Sequence, residues 1–176
     1  NMKKRLTALF IITGLAASAQ AVIIGADAGY LLDSEEEYYS ARLGFEFKAT
    51  DQASHQLELE VGYSEAEEAG LEADLLPVTL NYRLQAAGHG KFGYYAGLGA
   101  GFARTSIDGV SIVGPVRLRD TSFAAQGFAG VTYQVGPSTT LNLGAKYIWV
   151  DDANFAGTTV EVGDDVALLA GFSFKF

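Results

Sequence analysis

Apolar residues alternate with polar or small residues in eight segments of strand length. Successive side chains of a β-strand point to opposite sides, so each segment has an apolar face and a mixed face. In residues 38–48, Tyr39 and Phe47 fall on the apolar face, whereas Arg42 and Glu46 fall on the mixed face. The eight predicted strands are residues 22–32, 38–48, 57–64, 76–84, 94–103, 123–133, 141–149 and 166–176.

The charged residues of these strands all lie on the mixed face, which indicates that the mixed face is the one in contact with water. A water-soluble barrel such as a lipocalin needs the charged face outside, and the interior of an eight-stranded barrel is too narrow for so many apolar side chains. The inverted arrangement, with the apolar face outside, is what a bilayer requires of a closed sheet. We therefore predict an all-β fold, an eight-stranded antiparallel up-and-down transmembrane β-barrel, with the soluble barrel as the alternative.

The lengths of the connections predict an orientation. Residues 49–54, 85–91 and 136–138 form short turns at one end, and longer loops cover residues 33–37, 65–73, 105–120 and 151–165 at the other. Outer-membrane barrels keep short turns in the periplasm and longer loops outside, so both termini should be periplasmic.

Aromatic residues of the apolar face cluster near the strand ends, as expected of two belts at headgroup depth. The periplasmic belt would contain Phe47, Tyr82, Tyr94, Tyr133, Phe174 and Phe176, and the outer belt Tyr30, Tyr39, Tyr63, Phe102, Phe123 and Trp149.

The first 21 residues have the organisation of a secretory signal peptide. A basic start at residues 2–5 precedes an apolar run at residues 6–16, and Ala19-Gln20-Ala21 has the small-x-small form of a cleavage site. A membrane anchor is the alternative, but a spanning helix needs about 20 apolar residues and this run is about half as long. We predict cleavage after Ala21 and a barrel domain over residues 22–176.

Composition and charge narrow the function. Removing the three basic residues of the signal peptide leaves 12 − 3 = 9 Lys and Arg against 21 Asp and Glu, a net charge of about −12. A nucleic-acid partner is therefore not expected, because nucleic acid requires a basic surface. The absence of cysteine excludes disulfides, thiolate metal sites and cysteine nucleophiles.

Four stretches carry a resemblance to a known family: Leu76-Pro-Val-Thr-Leu-Asn-Tyr-Arg83, Tyr94-Tyr-Ala-Gly-Leu-Gly-Ala-Gly101, Gln126-Gly-Phe-Ala-Gly-Val-Thr-Tyr133 and Ala145-Lys-Tyr147. The sequence resembles the outer membrane protein beta-barrel family, which includes the OmpA membrane domain, OmpX and opacity-type proteins. The resemblance implies a barrel in the bacterial outer membrane, in contact with lipid and lipopolysaccharide. It does not imply one activity, since members are adhesins, narrow channels or structural proteins. Lys146 departs from the arginine common at its position in relatives.

The last strand carries a predicted assembly signal. Phe172, Phe174 and Phe176 share its apolar face. The ending resembles that of outer-membrane barrels, whose final strand closes the barrel and is recognised by the barrel assembly machinery. The resemblance thus implies this machinery as a partner.

Charged residues of the mixed face form the candidate site in the lumen: Asp27, Arg42, Glu46, Glu58, Glu60, Arg83 and Lys146. Hairpin register predicts Arg42 opposite Glu60 or Gly62, and Glu46 close to Glu58. Buried charges must be paired, which favours a salt-bridge network that plugs the barrel. The alternative is a gate whose rearrangement opens a narrow channel for ions or small solutes.

Most acidic residues fall in the four longer loops. They predict a solvated, charge-repelling rim. The alternative is binding of divalent cations that bridge to lipopolysaccharide or to an extracellular partner, because clustered carboxylates suit hard cations. The third loop adds an apolar and basic patch that suits protein or lipid contact: Ile112, Val113, Val116, Arg117 and Arg119.

No catalytic residue, cofactor or protein metal site is predicted. The glycines of Gly97-Leu-Gly-Ala-Gly101 lack dinucleotide-binding spacing and continue as a strand, so they indicate a small-residue strip in the lumen. His55 and His89 fall at short turns, away from the serine and acid partners that a hydrolase needs. We therefore expect a structural or adhesin-like surface protein rather than an enzyme.

Overall fold

The computed structural model describes residues 20–50, 52–68, 71–111, 114–155, 158–160 and 163–176. Eight strands in these ranges close an antiparallel barrel: β1 (Ala21–Leu31), β2 (Glu37–Ala49), β3 (Ala53–Glu68), β4 (Leu71–Ala87), β5 (Phe92–Ser111), β6 (Gly114–Gln134), β7 (Thr139–Val150) and β10 (Gly163–Lys175). A separate two-stranded sheet contains β8 (Ala153–Phe155) and β9 (Thr158–Val160). None of the described residues belongs to a helix long and apolar enough to cross a bilayer.

The barrel closes where β1 pairs with β10. Ile24 lies opposite Phe174 in this ladder. Beyond it, the backbone N–H of Val22 donates to the carbonyl of Phe176 at 3.2 Å, and the N–H of Phe176 donates back at 2.9 Å. Closure gives each barrel strand two hydrogen-bonded neighbours and leaves no open edge. The predicted eight-stranded up-and-down barrel is confirmed.

The two ends of the barrel differ. Ala21 and Phe176 lie at the end with the short connections around residues 50–52, 88–91 and 135–138, which we call the turn end. The opposite end is the loop end. Residues 1–19 lie outside the described ranges, so the signal peptide and its cleavage after Ala21 stay predictions.

The strands extend further at the loop end than predicted. The loop predictions for residues 65–73 and 105–120 were wrong, because β3 and β4 still pair at Glu67 and Glu72, and β5 and β6 at Gly109 and Val116. Beyond an apolar layer both faces of a strand meet water, so alternation fades while the backbone ladder continues. The predicted loop 151–165 likewise contains β8 and β9, and β10 begins inside it. Ile112 and Val113 of the predicted third-loop patch lie outside the described residues.

The predicted alternation of faces is confirmed. Leu98 and Leu143 on the outer wall are 67% and 61% exposed, whereas Glu58 and Asn81 in the lumen are 1% and 0% exposed. All twelve aromatics predicted for the two belts are exposed. The barrel thus presents apolar side chains outward and polar ones inward.

Large side chains fill the lumen, and glycines make room for them. A Cβ atom on Gly62 would lie 2.1 Å from the hydroxyl oxygen of Tyr38, and one on Gly97 would lie 2.3 Å from Cζ of Phe128. The glycine strip of β5 therefore lies against bulkier neighbours, as predicted. Buried apolar residues form a cluster in the lumen: Leu31, Tyr38, Ala103, Ala124, Ile148, Val150, Ala167 and Leu169.

Candidate functional site in the lumen

Glu60 is the centre of a polar network that crosses the lumen. Its Oε1 accepts hydrogen bonds from Nζ of Lys146 and, at 3.5 Å, from the hydroxyl of Tyr38. Its Oε2 accepts from the side-chain amides of Asn81 at 3.0 Å and Gln126 at 3.3 Å. The donors come from β2, β4, β6 and β7, so one carboxylate joins strands around the barrel.

Two arginines and two acids form a second group beside it. Arg42 is ion-paired with Asp27 on the neighbouring strand. Nε of Arg42 lies 3.6 Å from Oε1 of Glu58, and Nη1 of Arg83 lies 3.8 Å from the same oxygen. Glu58 therefore stands between two guanidinium groups.

Arg83 is also held by uncharged neighbours. Its Nη2 donates to Oδ1 of Asn142 at 3.3 Å, and its Cζ lies 3.9 Å from the centre of the Tyr95 ring. The distance suits a cation–π contact. Nε of Arg83, Nε and Nη2 of Arg42, and Nδ2 of Asn142 have no hydrogen-bond partner within the described part of the protein.

The charges of these two groups balance. The acids Asp27, Glu58 and Glu60 face the bases Arg42, Arg83 and Lys146, and all six side chains are at most 7% exposed. Buried charges are tolerated when they are paired and hydrogen-bonded. The network thus adds no net charge to the lumen.

The side chains of the network border a small cavity in the lumen. The space that its side chains enclose with Tyr95, Phe128 and Leu169 is a cavity of about 10 Å³, and one water molecule needs about 10–15 Å³. Wider cavities of about 350 Å³ and 410 Å³ lie toward the turn end and the loop end. We call the narrow part the constriction.

Six of the seven predicted lumen charges meet at the constriction, and Glu46 does not. Arg42 lies opposite Glu60, one of its two predicted partners, and the residue opposite Glu46 is Gln56. Glu46 instead accepts a hydrogen bond from Nζ of Lys175 at 2.7 Å, toward the turn end. Glu58 lies two residues from Gln56 on the same face of β3 and is a diagonal neighbour of Glu46, in keeping with the expectation that the two lie close together.

Sequence reasoning missed the uncharged part of the network. Tyr38, Asn81, Tyr95, Gln126 and Asn142 complete the contacts of the charged groups. In the sequence, these residues are marked as candidates for the lumen only by their position on the mixed face of a predicted strand. Bulky residues on a face otherwise rich in glycine indicate where the lumen is filled.

The remaining predicted sites lie outside the lumen. Phe172, Phe174 and Phe176 are 45%, 40% and 75% exposed and follow the outer wall at the closing seam. Nδ1 of His55 lies 2.6 Å from the hydroxyl of Tyr82. Among the described residues, no group of three or more histidine or acidic side chains is arranged to hold a metal ion.

Comparison with known proteins identifies the family. The sequence matches the outer membrane protein beta-barrel domain over residues 10–176. The chain belongs to this family. Its barrel is therefore a bacterial outer-membrane barrel, as the resemblance to this family implied. No curated protein sequence matches the chain.

Several solved structures have a similar fold. Neisserial surface protein A (NspA) aligns with a TM-score of 0.62 and 16% identity over 89% of this chain and 96% of its own. The N-terminal barrel domain of Pseudomonas aeruginosa OprF aligns with a TM-score of 0.55 and 19% identity, over 90% of this chain and 98% of its own. The third structure is the attachment invasion locus protein Ail of Yersinia pestis in complex with the heparin analogue sucrose octasulfate. It aligns with a TM-score of 0.54 and 17% identity, over 89% of this chain and 97% of its own. At these identities the likeness shows the fold alone.

Proposed function

We propose that this outer-membrane barrel is a closed structural protein that interacts with other molecules at the cell surface through its loop end. Both termini then face the periplasm, since outer-membrane barrels keep short turns on that side. The observation that carries the proposal is the constriction of about 10 Å³, filled by paired charges. A lumen closed in this way leaves the loop end as the part available for function.

The energetics of the network support a closed lumen. An ion that crossed the constriction would have to separate Glu60 from Lys146 or Glu58 from the two arginines. Separation of a buried pair leaves an uncompensated charge, which costs about 3–5 kcal/mol. An eight-stranded barrel also has no spare width into which these side chains could retreat.

A narrow channel is the second candidate, and the surroundings of Glu58 favour it. Glu58 lies 3.6 Å and 3.8 Å from the nitrogens of Arg42 and Arg83, beyond ordinary hydrogen-bond length. Both arginines retain donors that have no partner among the described residues. These groups would rearrange first if the lumen served as a gate.

The loop end supports a role in surface interaction. The β3–β4 and β5–β6 hairpins continue as paired strands past the residues of the loop-end aromatic belt, such as Tyr63 and Phe102. The β3–β4 hairpin is rich in acidic residues, whereas the β5–β6 hairpin carries both basic and acidic residues. Two proteins of similar fold are named a surface protein and an attachment invasion protein. We accordingly favour an adhesin-like contact with an extracellular partner.

The outer wall supports two further partners. Its exposed apolar side chains suit outer-membrane lipid and the acyl chains of lipopolysaccharide. Phe172, Phe174 and Phe176 form an exposed aromatic row at the closing seam, which suits recognition by the barrel assembly machinery.

Recording from planar bilayers tests the closed lumen against the gate. We expect the refolded protein to show no discrete openings, and Glu58→Gln to stay silent as well. Openings in the unmodified protein whose frequency changes in Glu58→Gln would favour the channel instead.

A further inference from the structure

A cavity of about 410 Å³ opens at the loop end of the lumen, and we call it the loop-end cup. Leu31, Leu75, Ile148 and Val150 supply its apolar lining. Leu31, Ile148 and Val150 are at most 4% exposed, so the lining belongs to the packed interior of the barrel. Volume and lining match those of small-molecule sites, which are mostly apolar cavities of about 300–1,000 Å³ with a few polar groups.

The charged residues around the loop-end cup carry one sign. Among the described residues that line it, every charged side chain is acidic: Asp33, Glu36, Asp74, Asp164 and Asp165. Asp165 is fixed in place, because its carboxylate accepts hydrogen bonds from the backbone N–H groups of Asp33 and Ser34 at 3.0 and 2.9 Å. An apolar cavity with an acidic rim attracts a cation that carries an apolar body, and it repels an anion of the same shape.

Thr105 adds an independent polar feature. Its side chain lines the loop-end cup and is only 9% exposed. Its Oγ1 has no hydrogen-bond partner within the described part of the protein. Buried hydroxyl groups are normally satisfied, so an unpaired one in a cavity is a position where a group that enters the cavity can form a hydrogen bond.

We propose that the loop-end cup binds a small amphiphilic cation, an alkylammonium ion. Its hydrocarbon chain contacts the apolar lining, and its N–H groups donate to the rim carboxylates and to the Thr105 hydroxyl. An ammonium group has three donors and no acceptor, which fits a site whose lining includes the carboxylates of Asp33 and Glu36 and the Thr105 hydroxyl. The proposal rests on the proposed function only in assigning the loop end to the cell exterior.

Nuclear magnetic resonance of the methyl-labelled protein in lipid nanodiscs tests the site. The probes are hexylammonium, hexanol and hexanoate, which share one chain and differ in charge. We expect hexylammonium to shift the methyl resonances of Leu75, Ile148 and Val150 in a saturable manner, hexanol to bind more weakly and hexanoate to leave them unchanged. Unshifted methyls with hexylammonium, or equal shifts with all three probes, would overturn the proposal.

Four variants separate the parts of the site. Ala73→Phe places a ring in the loop-end cup and should abolish binding. Glu36→Gln should weaken binding by up to about fivefold, the upper range for a partly exposed ion pair. Glu65→Gln is the matched control, because Glu65 is an acid near the same end of the barrel that does not line the cup. Thr105→Val conserves shape and should weaken binding several-fold, which keeps the test available if Ala73→Phe fails to fold.

The outcomes distinguish this site from the proposed function. Equal weakening in Glu36→Gln and Glu65→Gln would show a general surface charge effect and overturn the site. If the bilayer recordings show no openings and the methyl resonances do not shift, the binding site in the loop-end cup is refuted and the closed lumen is retained. If discrete openings occur and hexylammonium binds in a saturable manner, the closed lumen is refuted and the binding site is retained.

Discussion

Glu60 and Lys146 are ion-paired across the lumen from strands on opposite sides of the barrel. Their strands, β3 and β7, are four steps apart in either direction around the closed sheet. The pair therefore spans the interior and ties together strands that share no backbone hydrogen bonds.

Removing one partner of this pair should destabilise the barrel strongly. Lys146→Met leaves the Glu60 carboxylate buried without its cation, which should lower the free energy of unfolding by about 3–5 kcal/mol. The double variant Glu60→Gln/Lys146→Met should lose less of the free energy of unfolding, because neither residue of the pair is left as an unpaired charge. Urea-induced unfolding in lipid vesicles measures both.

Lys175→Met is the matched control for that experiment. Lys175 pairs with Glu46 beside the wider cavity of the turn end, and its own side chain is 49% exposed, so its loss should cost less than the loss of Lys146. A double variant less stable than Lys146→Met would contradict the assignment of an ion pair that crosses the lumen.

The outer wall should reject charge at mid-height. Leu98 is 67% exposed and lies on β5 between the belt residues Tyr94 and Phe102. Leu98→Arg should lower the free energy of unfolding by about 2–4 kcal/mol, the usual cost at the bilayer midplane. Val135→Arg, in a turn at the turn end, should cost about 0–1 kcal/mol. Equal losses in the two variants would argue against a lipid-facing wall.

Most of the fold follows from the period-two pattern, and the exceptions have a physical cause. Tyr39 and Leu98 were placed outward and Arg42 inward from alternation alone, because a bilayer tolerates one arrangement of faces. The strands beyond Glu65 and Arg104 were missed. There the sequence no longer alternates between apolar and polar residues, although the backbone pairing continues.

The candidate site was only partly predictable. Register from the β2–β3 turn correctly places Arg42 opposite Glu60, since antiparallel neighbours are fixed by a local turn. Contacts of Glu60 with Gln126 and Lys146 cross the lumen and depend on the tilt and stagger of the closed barrel. Those quantities are properties of the whole sheet, which no local pattern specifies.

The carboxylate of Asp165 should make the loop end sensitive to acid. Burial acts to raise the pKa of Asp165, but hydrogen bonds from Asp33, Ser34 and Val166 outweigh it and lower the pKa below its ordinary value. The ionised Asp165 carboxylate therefore stabilises the folded protein fully above the ordinary aspartate pKa of about 3.9. This stabilisation is lost as the pH falls through the lower pKa that Asp165 has in the folded protein. The amide resonance of Ser34 should move over that range.

Asp165→Asn is the control for this titration. The variant should keep the Ser34 resonance constant through the acidic range, and the two proteins should converge at the lowest pH. An unmodified protein whose Ser34 resonance does not titrate would contradict the carboxylate contact.

The final aromatic should matter more for assembly in cells than for stability in vitro. Phe176 is 75% exposed, so Phe176→Ser removes little packing and should refold in detergent almost normally. The yield of barrel in the outer membrane of cells should fall several-fold if the assembly machinery reads this residue. Phe92→Ser, which removes an aromatic 58% exposed near the same end, should assemble normally. Equal losses in the two variants would indicate a general need for aromatics.

Single-channel conductance of the refolded barrel tests the closed lumen most directly. Heat-dependent gel mobility would first establish that the barrel has formed. A lumen filled by Glu60, Lys146 and their neighbours predicts a silent bilayer for the unmodified protein, and openings only when bulk is removed, as in Lys146→Ala/Phe128→Ala. Discrete openings in the unmodified protein would contradict the closed lumen and make the lumen charges a gate.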